Sequence, residues 1–146
     1  MKEYRAECMS CRYINKESTK DDPTWIANLQ VSTAIVCDNQ ICRGYSILIY
    51  NKEHVTELFQ LTEKERTAYM EDLNKLARAI YDTYHPCKMN YELLGNVIPH
   101  LHWHIIPRRE TDPIDPHWPI WGKDYTKVTL SDGEYRKIVG EIRAHL

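Results

Sequence analysis

No apolar run in the chain approaches the roughly 18 residues that a membrane-crossing helix needs, and Met1-Lys2-Glu3-Tyr4-Arg5 leads into no apolar stretch of the secretory-signal kind. A cytoplasmic protein without a membrane partner is expected. Charge of one sign is lacking as well: 19 Lys and Arg stand against 21 Asp and Glu, a net −2. No global basic field exists to displace counterions from a long nucleic acid, so that ligand is excluded from the expectation. Glycine and proline are few, at 5 and 7, and there is no internal repeat, low-complexity tract or charge block. Fibrous and disordered classes are thereby excluded, and nothing marks a linker. What is present is ordinary for a globular domain, 42% hydrophobic and 27% charged residues. The 146 residues suit one core, because single domains grow to about 150 residues before chains split. One domain over 1–146, with one site, is expected.

Five cysteines make an odd number. In a reducing compartment, the close pair Cys8-x-x-Cys11 is read as half of a metal site or as a redox pair, and Cys37, Cys42 and Cys87 as small hydrophobes. From Leu29 to Val36 a β-rich alternation runs into Asp38-Asn39, giving a strand and a turn. Tyr45 to Tyr50 reads as a second, antiparallel strand. Thr62-Glu63-Lys64-Glu65 has the form of a capping box after Leu61, and the stripe Tyr69, Leu73, Leu76, Ala77, Ile80, Tyr81 and Tyr84 predicts a long helix ending at His85-Pro86. Two more strands, Lys88–Leu94 and Ile98–Pro107, are expected to join at Gly95-Asn96. Thr111–Lys127, with Pro113, Pro116 and Pro119, reads as a loop, and Ser131 with Glu134 opens a C-terminal helix. The fold class is α+β.

The chemistry concentrates in His100-Leu101-His102-Trp103-His104-Ile105-Ile106. On a strand, alternate residues share a face, so His100, His102 and His104 are expected to line up opposite Leu101, Trp103 and Ile105. Three of the chain's seven histidines fall here, which argues against chance. Each imidazole nitrogen can be a ligand, a nucleophile or a proton carrier near neutral pH. A His₃ catalytic zinc site would use the same spacing.

This segment resembles the motif of the histidine triad (HIT) proteins, His-φ-His-φ-His-φ-φ with φ apolar, at every position. The resemblance extends from Cys8-x-x-Cys11 through Lys52-Glu53-His54 to Pro107-Arg108. It implies a HIT-like fold: an antiparallel meander of about five strands with one long helix and a C-terminal helix. Residues 1–15 would form a metal-binding N-terminal segment, and 111–146 a C-terminal loop and helix. It further implies a homodimer that binds an AMP-containing nucleotide. The expected activity is hydrolysis or transfer at the α-phosphate of phosphoanhydrides or phosphoramidates, diadenosine polyphosphates among them, through a nucleotidyl-histidine intermediate.

Carried over by position, His102 corresponds to the nucleophile, with its second nitrogen on a backbone carbonyl, and His104 to a donor beside the phosphates. In the zinc-containing branch, the set Cys8, Cys11, His54 and His100 corresponds to a closed structural zinc site. Asp38 falls where the family places an acidic residue on the ribose, Asn96 near its phosphate-binding glutamine, and Asn90 on an asparagine of the preceding strand. As plain residues these three read as turn or strand-edge groups. Two positions depart from the pattern: Val97 stands where many members have Ser or Thr, and Gly44-Tyr45-Ser46 where a Gly-His pair is common. These departures keep a non-catalytic nucleotide sensor in play. Arg108 and Arg109 suit polyphosphate or a solvated surface equally, and Trp118 and Trp121 suit a stacked base, a wall of the site or a core plug.

Overall fold

The structure is a computed structural model that describes residues 5–15 and 19–146; residues 1–4 of the expected N-terminal segment lie outside the described residues. Five strands, β1 (Trp25–Asn28), β2 (Ser32–Val36), β3 (Ser46–Tyr50), β4 (Lys88–Glu92) and β5 (His102–Arg108), build one antiparallel sheet. Among the described residues three α-helices accompany it: α1 (Met9–Ile14), α2 (Glu63–Tyr84) and α3 (Asp132–Arg143). The α+β architecture is the expected one. Sequential meandering holds for β1 to β3, but the sheet order is β1-β2-β3-β5-β4, so β5 lies between β3 and the outer strand β4. The triad strand is therefore paired on both sides, with Ile49 opposite His102 in β3 and Glu92 opposite His104 in β4.

The capping box of α2 forms as its sequence predicts, with Thr62 and Glu65 exchanging hydrogen bonds, and Ser131 and Glu134 repeat it on α3. Tyr69, Leu73, Leu76, Ala77 and Ile80 of α2 and Tyr135, Ile138, Val139 and Ile142 of α3 are buried on one sheet face against Ala34, Leu48, Tyr50 and Ile105. Tyr81 departs from the expected stripe. It is 48% exposed, because it lies one residue, about 100°, beyond the buried Ile80 around the helix.

Three boundaries differ from expectation for physical reasons. The alternation from Leu29 does not begin a strand: Leu29–Val31 turn between β1 and β2, and the unanticipated β1 supplies the partner strand. The turn is fixed by Asp72 of α2, whose buried carboxylate accepts from the Gln30 and Val31 amides and the Ser32 hydroxyl at 3.1, 2.9 and 2.7 Å. Residues 93–101 form an irregular connection instead of a tight turn at Gly95-Asn96. Pro99 has no N–H for a ladder, and Leu101 bonds sideways, its amide to Val55 O and its carbonyl to the Tyr50 amide.

Thr111–Lys127 contains no helix or strand, as expected. It is held over the second sheet face by Arg108, which is fully buried. The guanidinium donates to Asn90 Oδ1, to the carbonyls of Ile114, Asp115 and Trp118, and to Asp112, with which it also forms an ion pair. Beneath the loop, Ile41, Cys42, Tyr45, Ile106, Ile114 and Ile120 make a small second core. Among the described residues, no helix is long and apolar enough to cross a membrane.

Removing the Asp72 carboxylate strands two backbone amides and a hydroxyl at a buried turn. Asp72→Ala is expected to lower the unfolding free energy by about 3 kcal/mol; a urea midpoint unchanged from wild type would show that the turn does not depend on it.

Candidate active site and metal centre

Even-numbered residues of β5 face away from the helices, so His102 and His104 lie on the same side as Ile47 and Ile49 of β3 and line a cavity of about 590 Å³ with them. Asp38, in the turn after β2, is at the same cavity, beside Cys37 and Asn39. Met9, Ser10 and Tyr13 of α1 form another wall, and Trp121, Tyr125 and Lys127 come from the C-terminal loop. The walls are largely apolar, and among their polar groups are the imidazoles of His102 and His104, the carboxylates of Asp22 and Asp38, and Lys127, a composition typical of sites for small organic ligands. Asp38 is ion-paired with Lys127 at 2.5 Å.

The first histidine leaves the row. His100 precedes β5 and is 1% exposed; its Nε2 lies 2.8 Å from the Tyr50 carbonyl, which can only accept, so Nε2 carries the proton. The lone pair is on Nδ1, 3.6 Å from Cys8 Sγ and 3.5 Å from Cys11 Sγ. His54 Nδ1 is 3.2 Å from Cys11 Sγ. The ligand atoms of Cys8, Cys11, His54 and His100 all lie within 4.8 Å of one another. All four expected metal residues are thus brought together, and they could hold one ion. The three triad imidazoles do not converge on a point, which is at odds with a His₃ centre.

His102 is fixed by the backbone of that same His100. Its Nδ1 is 2.5 Å from the His100 carbonyl, so Nδ1–H donates. With one proton on the ring, Nε2 is a bare lone pair. It faces His104 Nε2 at 3.1 Å. Burial, with the neighbouring His102 second, lowers the His104 pKa to about 4. His104 is consequently neutral around pH 7. The Trp121 ring stands edge-on to it at 5.4 Å, its indole N–H on Glu92. Trp121 is therefore a wall of the site, whereas Trp118 lies under Lys123.

Asn90 and Asn96 are not brought to this cavity. The Asn90 amide oxygen is taken by Arg108, and the residue borders a separate cavity with Cys87, Lys88 and Trp118. Asn96 is exposed on the 93–101 connection, beside Val97, which is 93% exposed. Arg108 is neither solvated nor free for phosphate, and Arg109 donates to the Arg43 carbonyl and stacks over Tyr84. Sequence reasoning missed Tyr45, whose hydroxyl is 2.6 Å from His104 Nδ1, and the α1 wall. A tyrosine among 10 carries no signal of its own; the only hint was its place where a Gly-His pair is common.

The HIT domain family matches residues 23–111, and the chain belongs to that family. It is 29% identical over 135 residues to the Protein hit of Bacillus subtilis, covering 86% of this chain and 88% of that one. It is 26% identical over 126 residues to the adenosine 5'-monophosphoramidase HNT1 of Saccharomyces cerevisiae, covering 84% and 77%. The solved histidine triad protein of Sinorhizobium meliloti superimposes with a TM-score of 0.75 at 26% identity, over 90% of this chain and 95% of that one.

The depressed His104 pKa carries a stability consequence. An unfolded histidine near pKa 6.5 takes up a proton that the folded ring refuses until about 4, so this contribution is intact above pH 6.5 and is lost as pH falls towards 4. From pH 7 to 5 the wild type should lose about 1–2 kcal/mol more than His104→Gln, allowing for solvent at the partly exposed ring. Equal slopes of unfolding free energy against pH in the two proteins would contradict the assignment.

Proposed function

We propose that the protein hydrolyses nucleotides at the α-phosphorus, cleaving P–N bonds of nucleoside phosphoramidates or P–O–P bonds of phosphoanhydrides such as diadenosine polyphosphates, with His102 as nucleophile. The observation that carries this reading is the His102 Nδ1 contact with the His100 carbonyl, because it directs the unprotonated Nε2 into the cavity. In the first step, Nε2 forms a bond to phosphorus while the bond to the leaving group breaks, and the leaving amine or phosphate departs with its electron pair and takes up a proton from solvent. In the second, water attacks phosphorus and gives up a proton to solvent, the P–N bond to His102 breaks with its electron pair returning to Nε2, and the nucleoside monophosphate leaves. Splitting one displacement into two is the general advantage of covalent catalysis. As phosphorus takes the place opposite His102 Nε2, the neighbouring His104 Nε2–H is released to hydrogen-bond the phosphoryl oxygens, where negative charge accumulates. On this reading Asp38, at the cavity, takes the ribose hydroxyls in exchange for Lys127, and the apolar wall of Ile35, Ile47 and Ile49 suits a base. The yeast relative, by its name an adenosine 5'-monophosphoramidase, supports an AMP phosphoramidate as a substrate.

The donor set supports zinc as the metal. A tetrahedral zinc with Zn–S near 2.3 Å and Zn–N near 2.0 Å separates neighbouring sulfur and nitrogen ligands by about 3.5 Å; three of the four S···N distances are 3.2, 3.5 and 3.6 Å, and all four ligand atoms lie within 4.8 Å of one another. Four protein ligands close the coordination shell, so such an ion is structural: it ties α1 to the connection before β5 and activates no water. On the same family reading, the chain acts as a single domain in a cytoplasmic homodimer, and its balanced charge fits a small nucleotide better than a long nucleic acid.

Incubation with an AMP phosphoramidate, and separately with diadenosine tetraphosphate, is expected to release AMP from at least one. In His102→Ala, release should fall by more than about 10⁴, as for loss of a covalent nucleophile, with circular dichroism unchanged. Full turnover by that variant would remove His102 from the role. AMP binding with no product from either substrate would favour a sensor. Metal analysis should find one zinc per chain in wild type and in His102→Ala, and loss of it in His54→Ala and Cys11→Ser; zinc lost from His102→Ala would instead place the metal among the triad.

A further inference from the structure

Donor and acceptor accounting assigns a task to Tyr45. The His100 carbonyl holds the only proton of neutral His102 on Nδ1, so the 3.1 Å contact between the two Nε2 atoms forms only when His104 carries its proton on Nε2. That leaves a lone pair on His104 Nδ1. Whatever stands 2.6 Å from it must donate, and the group there is the Tyr45 hydroxyl. Cys37, also beside that hydroxyl, offers only a weak thiol.

We propose that Tyr45 is a positioning residue that holds His104 in the Nε2–H tautomer and so keeps a hydrogen-bond donor aimed beside the His102 lone pair. This deepens the hydrolase reading of the same site and, for its effect on turnover, rests on it. With the other tautomer, His104 would present a lone pair both to His102 Nε2 and to the phosphoryl oxygens, repelling the charge that a donor there would stabilise.

The local structure is built to hold this phenol still. Tyr45 is 2% exposed; its N–H donates to the Cys42 carbonyl at 3.0 Å, and its own carbonyl accepts from the Cys37 amide and Gln40 Nε2, each at 2.8 Å. The preceding Gly44 has φ +92, and a Cβ there would run into the Tyr84 ring, so only glycine delivers the chain to Tyr45 in this way. Gln40 Oε1 takes the Gly44 N–H at 2.8 Å. Burial also pushes the Tyr45 phenol strongly up, away from ionisation, which keeps it a donor.

Long-range ¹H–¹⁵N spectra of the imidazoles test this directly in the metal-loaded protein, with the same spectra and steady-state kinetics repeated on Tyr45→Phe. Wild-type His104 is expected to carry its proton on Nε2. In Tyr45→Phe the Nδ1–H form should appear, and kcat should fall about tenfold. A wild-type His104 protonated on Nδ1, or a tautomer unchanged in Tyr45→Phe, would overturn the proposal. A changed tautomer with undiminished kcat would overturn its bearing on turnover. Should the wild type cleave neither substrate, the hydrolase reading fails while the tautomer spectra still decide the role of Tyr45.

Discussion

The hydrogen bond from His102 Nδ1 to the His100 carbonyl is the contact on which the site is built. A carbonyl cannot donate, so this one bond settles which nitrogen of His102 is free, and every further proton position follows from it. Its acceptor stays in place because the rest of His100 is fully committed. The side chain donates from Nε2 to Tyr50 and turns Nδ1 to Cys8 and Cys11, and the next residue, Leu101, is tied through its amide to Val55 and through its carbonyl to Tyr50. The candidate metal ligands and the proposed nucleophile therefore meet in one residue, His100, through its side chain on one side and its backbone on the other.

The sheet makes this economical by dividing its faces. Helices α2 and α3 cover one face with a continuous apolar core, leaving the other free for the cavity and the smaller core under the C-terminal loop. That loop has no regular hydrogen-bond ladder, so its order has to come from elsewhere. Arg108, buried at the end of β5, supplies it by donating to three loop carbonyls and pairing with Asp112. A fully buried guanidinium is costly unless its donors are met; here five partners meet them, and Asn90 is drawn into the same duty.

This explains which residues could be read from sequence. The triad, both capping boxes and the long helix were legible because their signals are local: spacing along one segment fixes which side chains share a face or reach a terminus. Cys8, Cys11, His54 and His100 became legible together only through the family resemblance, since nothing in the spacing of four ligands drawn from three segments ties them to one another. Asn90, Arg108 and Asp72 misled or were overlooked for the opposite reason. Asn90 matches a family asparagine and Arg108 suits polyphosphate or a solvated surface, whereas the contacts they make depend on how a distant loop folds back. Asp72 sits inside a helix, and its partners are two amides and a hydroxyl 40 to 42 residues earlier. The histidine row itself was legible only in part, because Pro99 and the sideways bonds of Leu101 end the regular strand before His100.

Tyr45 shows where matching by motif stops and physical accounting takes over. A departure from the family pattern at Gly44-Tyr45-Ser46 reads, position by position, as a missing catalytic accessory. In three dimensions the requirement is narrower: His104 Nδ1 needs a protonated donor at hydrogen-bonding distance, and the identity of the donor is secondary. A phenol meets it if its pKa stays high and its backbone is held, and both conditions are satisfied by burial and by the Gln40 and Gly44 contacts. Such a hydroxyl differs from an imidazole in one respect that matters, since a buried phenol gives up its proton far less readily. On the proposed hydrolase reading, such an arrangement fixes a hydrogen-bond donor and resists relaying a proton, so His104 would act as a neutral stabiliser of phosphoryl charge and the leaving group would take its proton from solvent at the cavity mouth.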